Sequence, residues 1–255
     1  MGFDKTVRVA AGDLWSGAAE IAERMALAVA REARAFGKNE GIAGVARVAR
    51  AHAEMAPLRN LLAALRQAPA GRLAGAAREW LARARAGRRE VLRAGARLVR
   101  SGSVVGIHSY ASTVVGALLA AHARGRRFRV FAADSAGHGR HAARALRAAG
   151  VTVRVLMDGD FLRSLAKMDL VLVGADAVTP RVLVNGAGTR AIAARAKRLG
   201  VPVYVLADPT KIVRGTLRGL GRDPRFDRTP IGWVSVVSGA GTRPRSRARA
   251  PRRGR

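Results

Sequence analysis

The chain has 255 residues, 49% of them hydrophobic and only 4% aromatic, and a formal charge of +30. That length and apolar content suit one large domain, or a small helical domain joined to an α/β domain, and exclude a chain disordered throughout. The lack of cysteine excludes disulfides, thiolate metal sites and a thiol nucleophile; no signal-like or membrane-length apolar run is present, so a cytoplasmic protein without membrane contact is expected.

Residues 1–12 read as an ill-defined lead-in. From Asp13 a helix is predicted: Asp13 can cap it, and Leu14, Ala18, Ile21, Met25 and Ala28 recur at helical spacing. Trp15 is expected to pack against a neighbouring helix. A loop at Phe36–Gly41 precedes a helix from Ile42 to Met55, whose His52 is read as a core histidine rather than a ligand. Pro57 breaks that helix, and Leu58 to Leu65 starts another. Gly71 to Arg100 is a long Ala/Arg/Leu helical pattern interrupted near Gly87, with Trp80, Leu81, Val91, Leu92 and Leu98 facing the core. Residues 1–100 are assigned to a helical N-terminal domain.

After Ser101-Gly102 the pattern changes to strand and helix in alternation. Strands are predicted at Val104–Ile107, Arg129–Ala133, Val151–Met157, from Val171, and at Val201–Leu206. Helices are predicted at Ser112–Ala123, Arg140–Ala149, Phe161–Lys167 and Thr189–Leu199, and Thr229 to Ser238 includes a last edge strand. The fold class is therefore α/β: the helical N-terminal domain is followed, over residues 101–238, by a Rossmann-like parallel sheet with helices on both faces. Residues 239–255 are expected to form a disordered basic tail. That tail holds seven of the 47 basic residues from Gly241 onward, so 40 remain against 17 acidic ones and the excess is spread. A spread excess fits a solvated surface, or weak contact with RNA or acidic proteins, rather than sequence-specific readout.

Each strand of the second half ends in polar residues, and ligands in open α/β sheets bind at that edge. The first strand ends in His108-Ser109-Tyr110-Ala111-Ser112, and the second in Asp134-Ser135 followed by Gly137-His138-Gly139-Arg140-His141. The third ends in Asp158 and the fifth in Asp208-Pro209-Thr210-Lys211. The fourth, Val171-Leu-Val-Gly-Ala-Asp176, puts a carboxylate directly after a buried strand, where it needs a partner or a ligand. A short loop then supplies Asn185, Gly186 and Gly188, with Thr189 as the N-cap of the next helix. A carboxylate, an amide, a glycine turn and a helix N-terminus on one spot suit a polyhydroxylated phosphate ester. Read singly, each has a plainer role: Ser112 caps a helix, His108 is a hydrogen-bonded structural residue, and Asp158 belongs to a turn. His138 and His141 have no third histidine, so no metal is expected. No cofactor is implied, and neither a Gly-x-Ser-x-Gly elbow nor a Walker loop occurs.

Five segments, in order, resemble the superfamily of initiation factor 2B alpha, beta and delta subunits and sugar-phosphate isomerases. They are Val104–Val115; Asp134-Ser135 with Gly139; Val153–Asp158; Gly174-Ala175-Asp176 with Asn185, Gly188 and Thr189; and Pro202-Val-Tyr-Val with Thr210-Lys211. The stretch covered runs from about Arg89 to Val213, with Pro57–Leu61 a looser match to a Pro…Asn-Leu element. The resemblance implies an aldose–ketose isomerase site in which a cysteine and an aspartate flank the sugar phosphate. Asp176 matches that aspartate, and Ser109 stands where the cysteine would be. A serine hydroxyl does not exchange protons at neutral pH without an adjacent base. The family's Arg-Gly-Ala phosphate element is also missing, Gly41-Ile-Ala-Gly44 being the nearest match, and Ala136-Gly137 replaces an Arg-Pro. Initiation factor subunits also lack the cysteine.

Three readings follow. The first is an initiation factor 2B-like protein, linked to translation initiation, binding a phosphorylated sugar or nucleoside monophosphate in a degenerate isomerase pocket. The second is an active isomerase using Asp176, with Ser109 as a hydrogen-bonding substitute. The third is a basic RNA-binding protein. The residues expected around the ligand are His108, Ser112, Gly139, Arg140, Asn185, Gly188, Thr189 and Lys211. The resemblance also implies a homodimer.

Overall fold

A computed structural model of the chain describes residues 2–69, 71–213, 223–238 and 241–243. Five helices come first: α1 (Phe3–Ala11), α2 (Ala18–Glu32), α3 (Lys38–Ala51), α4 (Ala56–Gln67) and α5 (Leu73–Leu98). Residues 1–12 are thus no lead-in. Phe3, Val7 and Ala10 fall on one face of α1 and are buried in the helical core, a three-residue stripe too short to stand out from sequence alone. Asp13 does not cap α2, which starts later, at Ala18. Instead its Oδ1 accepts from the backbone N–H groups of Trp15 (3.0 Å) and Ser16 (2.9 Å), closing the α1–α2 loop. The α2 N-terminus is served by Glu20, whose carboxylate accepts from Gly17 N–H at 2.8 Å. Trp15 is 60% exposed, and the neighbouring helix it meets is one from the second half of the chain, through His138 at 5.1 Å between ring centroids.

Pro57 lies in the first turn of α4, where its missing N–H costs nothing. Helix α5 runs unbroken for 26 residues, so Gly87 is not an interruption. A Cβ at Gly87 would strike the Pro209 ring, 2.8 Å from Cγ and closer still to Cδ, so the glycine admits the turn that carries Lys211. His52 is buried, with its Nε2 2.8 Å from the Ala10 carbonyl, a core histidine as expected.

The second half alternates as predicted: β1 (Val104–His108), α6 (Ser112–Ala123), β2 (Arg129–Ala133), α7 (His138–Ala148), β3 (Thr152–Leu156), α8 (Asp158–Ser164), β4 (Leu170–Val173), β5 (Ala177–Val178), β6 (Val182–Gly186), α9 (Thr189–Leu199), β7 (Val203–Leu206), β8 (Phe226–Pro230), β9 (Ser235–Ser238) and β10 (Gly241–Arg243). Six strands pair in parallel in the order β9-β7-β4-β1-β2-β3, and β10 adds antiparallel beside β9. The two faces follow the period-2 alternation. Val105, Ile107, Leu170 and Leu172 pack with α5, α6 and α7. Val104, Val171, Val173, Val203 and Val205 pack with α8 and α9. Each fully buried side chain such as Leu118 or Phe161 contributes about 1.5–3 kcal/mol of transfer free energy.

Two expectations of the second half are corrected. The short loop expected to supply Asn185, Gly186 and Gly188 is strand as far as Gly186: β5, β6 and β8 form a separate three-stranded antiparallel sheet. The turn between β5 and β6 is tied by Thr179, whose N–H donates to the Val182 carbonyl (2.9 Å) while its Oγ1 accepts from Val182 N–H (3.0 Å). The segment Thr229–Ser238 does include the expected strand, β9, but β10 lies outside it, so it is not the sheet's edge. β8 belongs to the small sheet and β9 to the large one, with a 3-10 turn at Ile231–Trp233 between them. Of the expected disordered tail, Gly241–Arg243 pairs with β9, and residues 239–240 and 244–255 lie outside the described residues. Among the described residues no helix is long and apolar enough to cross a membrane.

The helical half meets the sheet's carboxyl edge through α4. Ala56 N–H donates to the Asp176 carbonyl at 2.9 Å, and the Asn60 amide donates to the Thr210 carbonyl at 2.5 Å and to that of Ile212 at 3.3 Å.

Candidate functional site

Where those contacts hold α4 over the sheet edge, a cleft of about 690 Å³ remains. The strand ends supply one wall; the Asp13–Gly17 loop and residues Arg50–Met55 supply the other. Of the ten residues singled out in the sequence, Ser109, Ser112, Asp176, Asn185 and Lys211 line this cleft. The other five lie around or beneath it.

Asp176 is fixed by its backbone. Its N–H donates to the Val184 carbonyl (2.9 Å), and its own carbonyl accepts from Ala56. Burial pushes its carboxyl up to about 6; the Glu54 carboxylate adds to that rise, and the Lys211 ammonium opposes it. Glu54 is 3% exposed and Lys211 4% exposed, and both line the same cleft. At neutral pH such a carboxylate is mostly ionised yet close enough to its midpoint to exchange a proton.

Ser109 sits directly after β1 with φ 60°, in the left-handed region that a serine seldom occupies. Its side chain lies beside Gly186. The neighbouring His108 lies with its ring against Gly188. His108 is 2% exposed, and its Nε2 lies 2.9 Å from the Ala187 carbonyl. A carbonyl only accepts, so the proton is on Nε2; Nδ1 is buried without a hydrogen bond. Burial pushes its pKa down, and the bond to Ala187 opposes that fall.

Thr189 is the first residue of α9, not its cap; Gly188 holds that place. The Thr189 hydroxyl donates to the Gly186 carbonyl (2.6 Å) and accepts from the Asn185 amide (3.1 Å). Gly188 and Arg190 both donate their N–H groups to Asp227 Oδ2, at 2.8 and 2.9 Å. The start of α9 is therefore neutralised by a side chain of β8. This corrects the expectation that this helix N-terminus meets the ligand: the anion it attracts is Asp227. Gly139 and Arg140 lie in the first turn of α7, packed back against the end of β2. A Cβ on Gly139 would fall on the Ala133 carbonyl oxygen, so no side chain fits there. The Arg140 guanidinium is bidentate on Asp134, at 2.9 and 3.1 Å, and does not line the cleft.

The sequence did not mark the opposite wall. Glu54, Arg50 and Trp15 line the cleft from the helical half, and Tyr110, Ser135, His138 and Asp158 complete the sheet side. The Tyr110 hydroxyl donates to Glu20 at 3.2 Å; burial, then that carboxylate, push its pKa up to about 12. Asp158 accepts from Ser135 N–H at 2.9 Å, and so closes the turn after β2. The one sequence signal for Glu54 was an acid set among apolar residues just before Pro57.

A helical region ahead of a parallel sheet, with a polar cleft where the strand ends meet that region, defines an α/β protein with a candidate site at its sheet edge. The sequence profile of the Initiation factor 2 subunit family matches residues 26–219, and the chain belongs to that family. It is similar to translation initiation factor eIF2B subunit alpha of Dictyostelium discoideum, 36% identical over 121 residues that make up 46% of this chain and 38% of the relative. It is also similar to the ribose 1,5-bisphosphate isomerase of Archaeoglobus fulgidus, 29% identical over 187 residues, 63% of this chain and 60% of that protein. The chain thus spans less than two thirds of the length of either relative. Among solved structures, the translation initiation factor eIF-2B of Pyrococcus horikoshii OT3 superposes with a TM-score of 0.84 at 27% identity, covering 94% of this chain and 96% of the other.

Proposed function

We propose that this protein is an initiation factor 2B-like ligand binder whose cleft holds a phosphorylated sugar or nucleotide without turning it over. The observation that carries this reading is Ser109. By the resemblance it stands where the isomerase cysteine would be, and the adjacent His108 is committed to the Ala187 carbonyl. A hydroxyl so placed hydrogen-bonds a ligand but does not shuttle its protons. Asp176, Glu54 and Asn185 would accept from or donate to ligand hydroxyls, while Lys211, Arg50 and the start of α6 at Ser112 would face the phosphate. A homodimer belongs to the same reading, and analytical ultracentrifugation tests it. Contact with RNA through the basic surface predicts an affinity that falls steeply with salt.

One observation favours the second reading, an aldose–ketose isomerase: a carboxyl held near 6 is suited to proton exchange. Its relative from Archaeoglobus fulgidus is named for ribose 1,5-bisphosphate. Purified protein is therefore offered that compound and ribose 5-phosphate. The expected result is saturable binding by calorimetry with no ketose formed over hours by NMR. Ketose formation that disappears in Asp176→Asn would overturn the binding-only reading in favour of the isomerase.

A further inference from the structure

A second concavity lies away from the cleft, along the seam where α2 packs on α5. The two helices run antiparallel there: Arg85 pairs with Glu23 at 2.6 Å, and further along the seam Arg78 donates to the Ala30 carbonyl at 3.3 Å. The groove between them has a volume of about 650 Å³. Its rim carries Arg31 and Arg34 on the α2 side and Arg78 and Arg85 on the α5 side, all four exposed. Its floor is apolar, with Leu27 and Ala30 from α2 and Ala74, Leu81 and Ala82 from α5. No carboxylate among the described residues lines it. Glu23, at its end, is shared between Arg85 and Arg88, the latter at 3.6 Å. Arg31 and Arg34 have no ion-pair partner among the described residues. Arg31 is in the last turn of α2, where the helix dipole favours a cation. Arg78 and Arg85 lie far from the last turn of α5 and gain nothing of that kind. Like charges gathered on both sides of an apolar strip repel one another, and a partner bringing carboxylates would relieve that repulsion.

We propose that the α2–α5 groove is a docking site for a short acidic amphipathic helix of a partner protein. From Ala74 to Arg85 the groove follows α5 for about 16 Å, three helical turns. A helix laid along it sets apolar residues at i, i+3 or i+4, and i+7 on the floor, and acidic residues on both flanks against the arginines. The small side chains of Ala30, Ala74 and Ala82 let its backbone approach closely. RNA is the poorer occupant, because no aromatic side chain among the lining residues gives a base a face to stack on. The docking site is independent of what the cleft binds.

The probe is a fluorescently labelled synthetic helix with leucines along one face and glutamates on its flanks; a second peptide keeps the glutamates and replaces the leucines by serine. The +30 charge of the chain attracts any acidic peptide, so two double variants of equal net charge are compared. Arg31→Glu with Arg78→Glu reverses the groove, and Arg144→Glu with Arg198→Glu reverses exposed positions on α7 and α9. By fluorescence anisotropy at physiological salt, the leucine peptide should bind the full chain saturably. Its affinity should fall roughly tenfold or more in the groove variant and stay within about twofold in the other. The serine peptide should bind the unaltered chain roughly tenfold or more weakly than the leucine peptide. All four arginines are exposed, so both variants should fold, and an unchanged thermal melt verifies it. Equal losses in the two variants, equal affinities of the two peptides, or no saturable binding overturns the docking site. A single-stranded RNA that binds more tightly than the leucine peptide, and loses affinity only in the groove variant, overturns it in favour of nucleic acid.

Discussion

The two walls of the cleft are built by different means. The sheet wall is made of strand ends, each placed by ladder hydrogen bonds and a turn a few residues long. The Asn185–Thr189 corner is of this kind: Asn185, Gly186 and Thr189 bond to one another, and Asp227 satisfies the helix start. The helical wall is placed by docking. Arg50, Glu54 and the Asp13–Gly17 loop reach the cleft because Ala56 bonds Asp176 and Asn60 bonds Thr210, residues 120 and 150 positions away. A local wall resists change because each part fixes its neighbour. A docked wall can shift as a unit.

The same division decides what could be read from the sequence. The β–α alternation, the carboxyl-edge placement of Ser109, Asp176 and Lys211, and the family follow from short patterns a few residues apart. Glu54 and Trp15 were not legible, because no local periodicity says that a residue in a turn between helices will face a strand end far along the chain. The hairpin of β5 and β6 was missed because a two-residue strand carries almost no alternation, and its turn is set by one threonine hydroxyl. Gly87 was misread as a break because only the approach of Pro209 reveals why a side chain is excluded.

The largest effect should come from the local wall. In Gly139→Ala the new methyl would occupy the space of the Ala133 carbonyl oxygen, a backbone atom that cannot swing aside. The β2–α7 turn must open, at a cost of about 3 kcal/mol or more. A small loss in the denaturation midpoint would show that the turn is softer than its geometry indicates.

Next is Asp176→Asn, which should abolish or weaken ligand binding yet stabilise the fold. From about pH 4 to 6 the folded carboxyl retains a proton that the unfolded chain has released. Stability therefore falls as pH rises through that window, and the deficit is fully present above it. Asparagine carries no such burden. The variant should gain about 1–2 kcal/mol at pH 7.5, roughly 2–8 °C in Tm, and the gain should vanish below pH 4. A gain that is constant with pH would show that the carboxyl is not the source.

The docked wall is probed by Asn60→Ala. It leaves the Thr210 and Ile212 carbonyls without their amide donor and should cost about 1–2 kcal/mol. Unlike Gly139→Ala, it should weaken ligand binding more than its stability loss explains, because the turn bearing Lys211 loses its tether. Equal losses in binding and stability would mean that the two walls move together.

The smallest effect, and the sharpest, is that of Glu54→Gln. The Glu54 carboxylate raises the Asp176 pKa, but burial is the larger cause. Removing the charge should lower the Asp176 midpoint from about 6 by only part of the gap to its ordinary value, while preserving shape and hydrogen-bonding reach. Carbon-13 NMR of the Asp176 carboxyl reads the shift directly. A fall shows that a residue of the docked wall tunes the central acid of the local wall. An unchanged or raised midpoint would show that the Glu54 charge does not set the Asp176 pKa and that the two walls are electrostatically independent there.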